Sequence, residues 1–332
     1  MFGAWLRWAI LVTVGAGLGC GTLPRHAGPL PVRDQHPAQL LAPHLDPVPA
    51  QVLPPGHAVL RADVAHTSLW LTGSAGGRAL TLDGENTRAA LDVRVGVGAG
   101  VELEVELPFG YAGGGFLDSF VIGWHDFFGF ANQGRDSAAR NDYGIEARVG
   151  NDVALSVEPY EVQLMDLPLG ARVRLLGGDQ GAVSARALVE LPTGDENAGF
   201  GNGGIDVALG LVGDLRVGVF DLFAHGHYAF VSDSGPAKRA GLDLRDVAAG
   251  GFGGSLRVTD GLSLHLQTQV ESSVLRDLGF DRAADSQWLL WGGFRVACDD
   301  HTFIELALGE DLGPYVSPDF TLWAAVSTRL GR

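Results

Sequence analysis

Lysine is nearly missing from this 332-residue chain: there is one, Lys238, against 39 acidic residues and a formal net charge of −16 at pH 7. A soluble β-sandwich turns one sheet face to bulk water and usually studs it with lysine, so the scarcity counts against that architecture. The negative charge argues against nucleic acid as a partner. Cysteine is limited to Cys20 and Cys298, too few for a disulfide framework. Beyond the N-terminus no stretch approaches the roughly 18 uninterrupted apolar residues of a spanning helix. No GxSxG elbow, HExxH, P-loop or CxxC pair is present, so no enzyme chemistry and no cofactor is indicated.

What the chain has instead is strict alternation of apolar and polar residues. Leu262, Leu264, Leu266 and Val270 interleave with Ser263, His265, Gln267, Gln269 and Glu271. Val101, Leu103, Val105 and Leu107 do the same against Glu102, Glu104 and Glu106, and Leu91, Val93, Val95 and Val97 against Asp92 and Arg94. Successive strand side chains point to opposite faces, so one face is hydrocarbon and the other polar. Backbone groups in lipid must be paired internally, and without spanning helices only a closed barrel achieves that. The expected fold is all-β: a single transmembrane antiparallel up-and-down barrel from residue 56 to 332, preceded by a Pro-rich segment.

The first nineteen residues read as an export signal, with Arg7, an apolar stretch and small residues before Cys20. Cys20 is a weak candidate for lipidation, because Gly17, Leu18 and Gly19 match the usual pattern before a modified cysteine poorly. Residues 20–55 carry nine prolines between Pro24 and Pro55. Proline lacks the amide donor of a strand. Two readings stand for this stretch: a solvated periplasmic tether, or a plug threading the lumen with Arg33, Asp34 and His36 binding a charged interior.

The pattern gives about fourteen strands between residues 57 and 330, and twelve if the weak pair at 143–162 is not in the wall. Tight turns at Gly98, Gly150 to Asp152, Gly178 to Gly181, Gly213 to Asp214, Thr259 to Gly261 and Asp299 to Asp300 are expected at one, periplasmic, end. The long connections then fall at the other. The last strand, with Phe320, Leu322, Ala324, Val326, Thr328 and Leu330 on one face, is the kind of signal barrel assembly machinery reads, although it ends on Gly331 and Arg332 rather than an aromatic.

Three stretches, GPLPVRDQHP from Gly28, ELPFGYAGGGFLDSFVIGWHDFFG from Glu106 and GEDLGPYVSPDF from Gly309, resemble the signature blocks of the bacterial family known as domain of unknown function 3187. The resemblance spans essentially the whole mature chain. It implies an outer-membrane barrel in a Gram-negative-type bacterium and carries over no catalytic residues.

The middle block opens the long loop 110–142. Phe116, Phe120, Trp124, Phe127 and Phe128 recur at helical spacing, with Asp118, His125 and Asp126 on other faces. It is either a gate folded into or over the mouth, with Arg135 and Arg140 setting selectivity, or an amphipathic helix resting on the barrel rim or the lipid surface. Lumen-facing charge is dense: Arg88, Asp92, Arg94, Glu102, Glu104, Glu106, Arg172, Arg174 and Arg186 are the selectivity candidates, alongside inward Arg61, Asp63, Glu146, Arg148, Glu190, Arg257, Arg295 and Glu305. Inward His225, His227, His265 and His301 with Asp221 read as polar lining, and no metal site is expected. The leading expectation is a channel or transporter for a small solute, bathed in outer-membrane lipid. The alternatives are a closed structural or surface-interaction barrel without flux and, last, an outer-membrane lipid hydrolase.

Overall fold

The computed structural model describes residues 21–24, 28–313, 316 and 318–331. The expected export signal and Cys20 lie outside the described residues. Fifteen strands form one sheet. They are β1 (Ala58–Ala75), β2 (Arg78–Gly98), β3 (Val101–Gly113), β4 (Gly144–Val149), β5 (Asp152–Ser156), β6 (Gln163–Leu164), β7 (Leu167–Gly177), β8 (Gly181–Leu191), β9 (Asp206–Val217), β10 (Phe220–Phe230), β11 (Val247–Thr259), β12 (Leu262–Glu271), β13 (Gln287–Ala297), β14 (Thr302–Asp311) and β15 (Phe320–Leu330). Three helices lie in connections: α1 (Asp118–Phe128), α2 (Gly235–Ala240) and α3 (Asp281–Ala284).

Twelve strands make the ring. β1 pairs with β2 on one side and with β15 on the other, and β3 pairs directly with β7, so the sheet closes without an edge. β4, β5 and β6 stand outside this ring. β1 and β2 continue past it as a long hairpin round Gly76 and Gly77, whose φ values of 59° and 80° suit the tight turn. The projecting edge of β2, Arg78 to Asp83, is then free to pair with β4, and β4 with β5.

Three expectations are corrected, the first two by that hairpin. The turn at Gly150 lies at the loop end, its amide donating to Gly77 at 2.7 Å, rather than with the tight turns. Glu146 and Arg148 consequently stand on the projecting sheet, with about a third of each side chain exposed, and not in the lumen. Residues 213–214 are interior to β9, which runs on to Val217, and the actual turn is Gly218–Val219. The remaining tight turns share one end, called here the turn end. The last strand presents Leu322, Val326 and Leu330 outward as expected, while Phe320, on the same parity, is buried.

The interior is layered. Near the loop end, Leu69, Leu71, Leu80 and Leu82 from the long hairpin join Leu242, Val274, Leu275 and Leu278 from the loops in an apolar cap. Below it the wall is charged on the β1–β2–β3–β7–β8 side and carries Ser255, Ser263, Gln267 and Gln269 on the β11–β12 side.

Candidate functional site in the lumen

Residues 28–53 run inside the barrel. The segment starts at the turn end, where Arg257 donates to the carbonyls of Leu23 and Pro24 at 3.1 and 2.6 Å, and Arg295 to those of Gly28 and Pro29 at 3.2 and 3.0 Å. It climbs past Gln267, which both accepts from the Leu30 amide and donates to its carbonyl. A short 3₁₀ turn, Gln39–Leu41, forms the apex among the cap residues, and Gln39 bonds Glu271 and the Val274 amide there. The chain then descends: Arg186 donates to the Asp46 carbonyl, Arg172 to that of Pro49, Ser184 to that of Ala50, and the Leu53 amide reaches Glu102 at 2.9 Å.

The composition explains this mode of binding. An extended Pro-rich chain makes no internal hydrogen bonds and leaves its carbonyls as acceptors. Buried acceptors need partners, and here the wall supplies donor side chains. Apolar contacts complete the fit: Leu30 and Val32 lie against Ala65, Trp291 and Trp323, while Val48 and Ala50 lie against Ala182 and Val212.

The candidate lumen residues meet here in pairs. Glu102 takes Arg172 at 2.5 Å, Glu104 takes Arg186 at 2.8 Å, and Glu106 takes both Arg88 and Arg33. Arg94 lies 3.4 Å from Asp92 and 3.8 Å from Glu102, and Arg61 bridges Asp63, Asp46 and Glu106. A void at this network's centre is lined by Arg33, His44, Asp46 and Arg61 and measures only about 30 Å³. Arg174 is a correction: a register shift between Arg174 and Leu176 carries the strand out at the turn end, where Arg174 is exposed beside Gly100.

Of the plug candidates, Arg33 alone reaches the wall. Asp34 accepts from the His36 amide at 2.6 Å and His36 from that of Ala38 at 3.1 Å, so both shape the turn toward the apex. His44 and Asp46 were not singled out by the sequence. His44 bridges Asp46 at 3.1 Å and Glu271 at 2.7 Å. The spacing of His44 and Asp46, two apart in an extended stretch, and the place of Glu271 on a polar strand face were the available signals. His225 and His227 are inward, with His227 edge-on to His44 at 4.7 Å, whereas His301 is exposed at a turn. Among the described residues no group of three or more His, Cys, Asp or Glu side chains is arranged to hold a metal ion.

Helix α1 packs on the outside of the wall. Val121 and Leu117 cover Phe320, and Trp124 bonds Glu310 through Nε1 at 3.0 Å. Glu85, outward on β2, accepts from the amides of Phe116 and Leu117 and meets His66 at 2.8 Å. It thereby satisfies orphan donors ahead of the helix N-terminus. Arg135 is buried against Asp118, Ser68 and Asp319. Phe116 and Phe127 are 71% and 72% exposed, although Phe116 stacks on His66 at 5.3 Å and Phe120 meets Phe320 edge-on at 5.2 Å. Asp126 and Arg140 are exposed and bond only Asn132 and Ser119. The aromatic segment therefore lies neither in the lumen nor over the mouth. The overlooked signal was polar residues at outward parity, His66, Ser68, Glu85 and Glu310, which interrupt an otherwise lipid-facing row.

His125, on α1, faces Glu310 with Nε2 at 3.1 Å from the carboxylate. Burial works against its charge, but Glu310 outweighs burial and raises its pKa above the usual imidazole value. Asp319, in the loop before β15, is pushed up to about 6 by burial, against the pull of Arg135.

Closed twelve-strand ring, apolar outer wall and polar interior together define an antiparallel β-barrel of the transmembrane kind. The chain belongs to the family described as protein of unknown function DUF3187, whose profile matches residues 23–330. Among solved structures it is similar to the COG4313 outer membrane channel from Pseudomonas putida F1, at 15% identity and a TM-score of 0.57, covering 86% of this chain and all of that one. The NanC porin follows at 8% identity and 0.46, covering 82% of this chain and 100% of that one. The translocator domain of the autotransporter NalP from Neisseria meningitidis gives 13% and 0.44, with 85% and 91% covered. No curated protein matches the chain.

Proposed function

We propose that this protein is an outer-membrane channel for a small solute, held closed by its own N-terminal segment and opened when that segment withdraws toward the turn end. The observation that carries the reading is how the segment is held. Both its legs leave by the same end, so withdrawal needs no threading. Many of its contacts to the wall are side chain to carbonyl bonds, which water replaces at small net cost, about 1 kcal/mol each, and its charged contacts, Arg33 to Glu106 and His44 to Glu271, are the stronger part of the latch. With the segment gone, the charged wall from Arg88 to Arg186 would line a hydrated path, the usual setting for ionisable groups at membrane depth.

The alternative, a closed barrel with structural or surface-interaction duties, draws support from the apolar cap, where loops as well as the apex fill the mouth. Planar-bilayer conductance of the refolded protein beside a variant lacking residues 28–50 separates the two. Rare openings in the intact protein and sustained steps in the deletion variant are expected. Silence from both, with heat-modifiable migration showing folded barrels, overturns the channel reading.

A further inference from the structure

At the turn end a second cavity of about 400 Å³ lies between the descending leg, Pro49 to Pro54, and the wall. Three arginines line it, Arg94, Arg172 and Arg329, against a single carboxylate, Asp179, which is itself exposed. In a chain of net charge −16 this lining is rich in arginine, with Glu102 and Asp92 set behind it against Arg172 and Arg94.

Arg329 is the unusual member. It is inward on β15, paired in register with Val59, another lining residue. Five other luminal arginines have carboxylates: Arg61 with Asp63, Arg88 with Glu106, Arg172 with Glu102, Arg186 with Glu104 and Arg295 with Glu305. Among the described residues Arg329 has none; its guanidinium only overlies the Phe303 ring at 6.0 Å, and its Nε is buried without an acceptor. The Nε of Arg172 is likewise buried and unbonded, although its two terminal nitrogens are engaged. Arg94 faces Asp92 and Glu102 at 3.4 and 3.8 Å, but Glu102 is already taken by Arg172 at 2.5 Å. A buried guanidinium nitrogen left without an acceptor is costly, and the planar fork of a half-buried arginine matches a carboxylate or phosphate.

We propose that this cavity is a binding site for a small oxyanion, a carboxylate or phosphate group, with Arg329, which lacks a carboxylate partner among the described residues, as its principal contact and the carboxylate-paired Arg94 and Arg172 at its edge. The site deepens the channel reading by naming the charge of the solute, yet binding itself does not require flux. The same head group occurs on free anions and on lipids, and the two sources are told apart by the probe.

The test is calorimetric titration of the refolded protein lacking residues 1–19, in neutral detergent at fixed ionic strength, with inorganic phosphate, benzene-1,3-dicarboxylate, lysophosphatidate and, as a cationic control, choline. Saturable binding of phosphate or the dicarboxylate supports a free oxyanion; binding of lysophosphatidate alone supports the site with a lipid head group as its source. Arg329→Gln should weaken binding at least tenfold, Arg329→Lys, which keeps the charge but loses the fork, should recover only part of it, and the remote exposed Lys238→Gln should leave it unchanged. Heat-modifiable migration confirms that each variant is folded. No saturable binding of any anion, or equal binding by Arg329→Gln, overturns the proposal. Since no conductance is read, failure of the channel reading would leave this result standing.

Discussion

The Arg135 guanidinium and the Asp319 carboxylate, 184 positions apart, meet at 2.8 Å on the outside of the barrel wall, both buried. Arg135 also holds Asp118 and Ser68, so one side chain fastens the long loop to the mouths of β1 and β15. Removing one member of a buried ion pair strands the others and costs about 3 kcal/mol.

Arg135→Ala should therefore free the loop without unfolding the barrel. Limited proteolysis within residues 110–142 should accelerate about a hundredfold, while heat-modifiable migration is retained. Unchanged cleavage would show that Phe320, Glu85 and Glu310 hold α1 without help from Arg135.

Loop docking should also depend on pH. The pKa of His125 is raised in the folded protein by Glu310, so its charged form stabilises the docked helix. That contribution is fully present below the ordinary imidazole pKa of about 6.5 and is lost as pH rises through the raised folded value. Hydrogen exchange at residues 117–128, corrected for its intrinsic pH dependence, should show less protection at pH 9 than at pH 6. His125→Gln should flatten that difference.

Gly96 lies under the descending leg: a Cβ placed there would come within 2.4 Å of the Leu53 carbonyl oxygen and 2.2 Å of that of Pro54. Gly96→Val must push this leg from the wall. Conductance in planar bilayers should rise toward that of the variant lacking residues 28–50, and a wild-type trace would argue that the segment does not gate.

Arg172 clamps the same leg through Pro49 and Gln51 while neutralising Glu102. Arg172→Ala leaves Glu102 buried with a weaker partner in Arg94. We expect greater hydrogen exchange at residues 49–53 and a thermal midpoint lowered by several degrees, corresponding to about 2–3 kcal/mol for a large barrel. Arg172→Gln, which can still donate to the carbonyls, should restore the exchange protection more than the stability.

Much of this molecule follows from periodicity alone. Leu264 and Leu266 must face lipid and His265 and Gln267 the lumen, because a strand offers only two faces and each needs its own solvent. Closure follows as well, since lipid tolerates no unpaired edge. What alternation does not contain is distance between strands. Glu146 and Arg148 alternate like lumen residues, yet the projecting β1–β2 hairpin offers them an edge outside the ring, and nothing local distinguishes the two environments. The aromatic stripe of α1 specifies a helix with one apolar side; that this side covers Phe320 and not the mouth depends on Arg135 finding Asp319. Likewise, nine prolines state that residues 20–55 cannot be strand, while only the assembled wall, with Arg172, Arg186, Arg257 and Arg295 pointing inward, supplies the donors that an extended chain of carbonyls needs in order to be held inside.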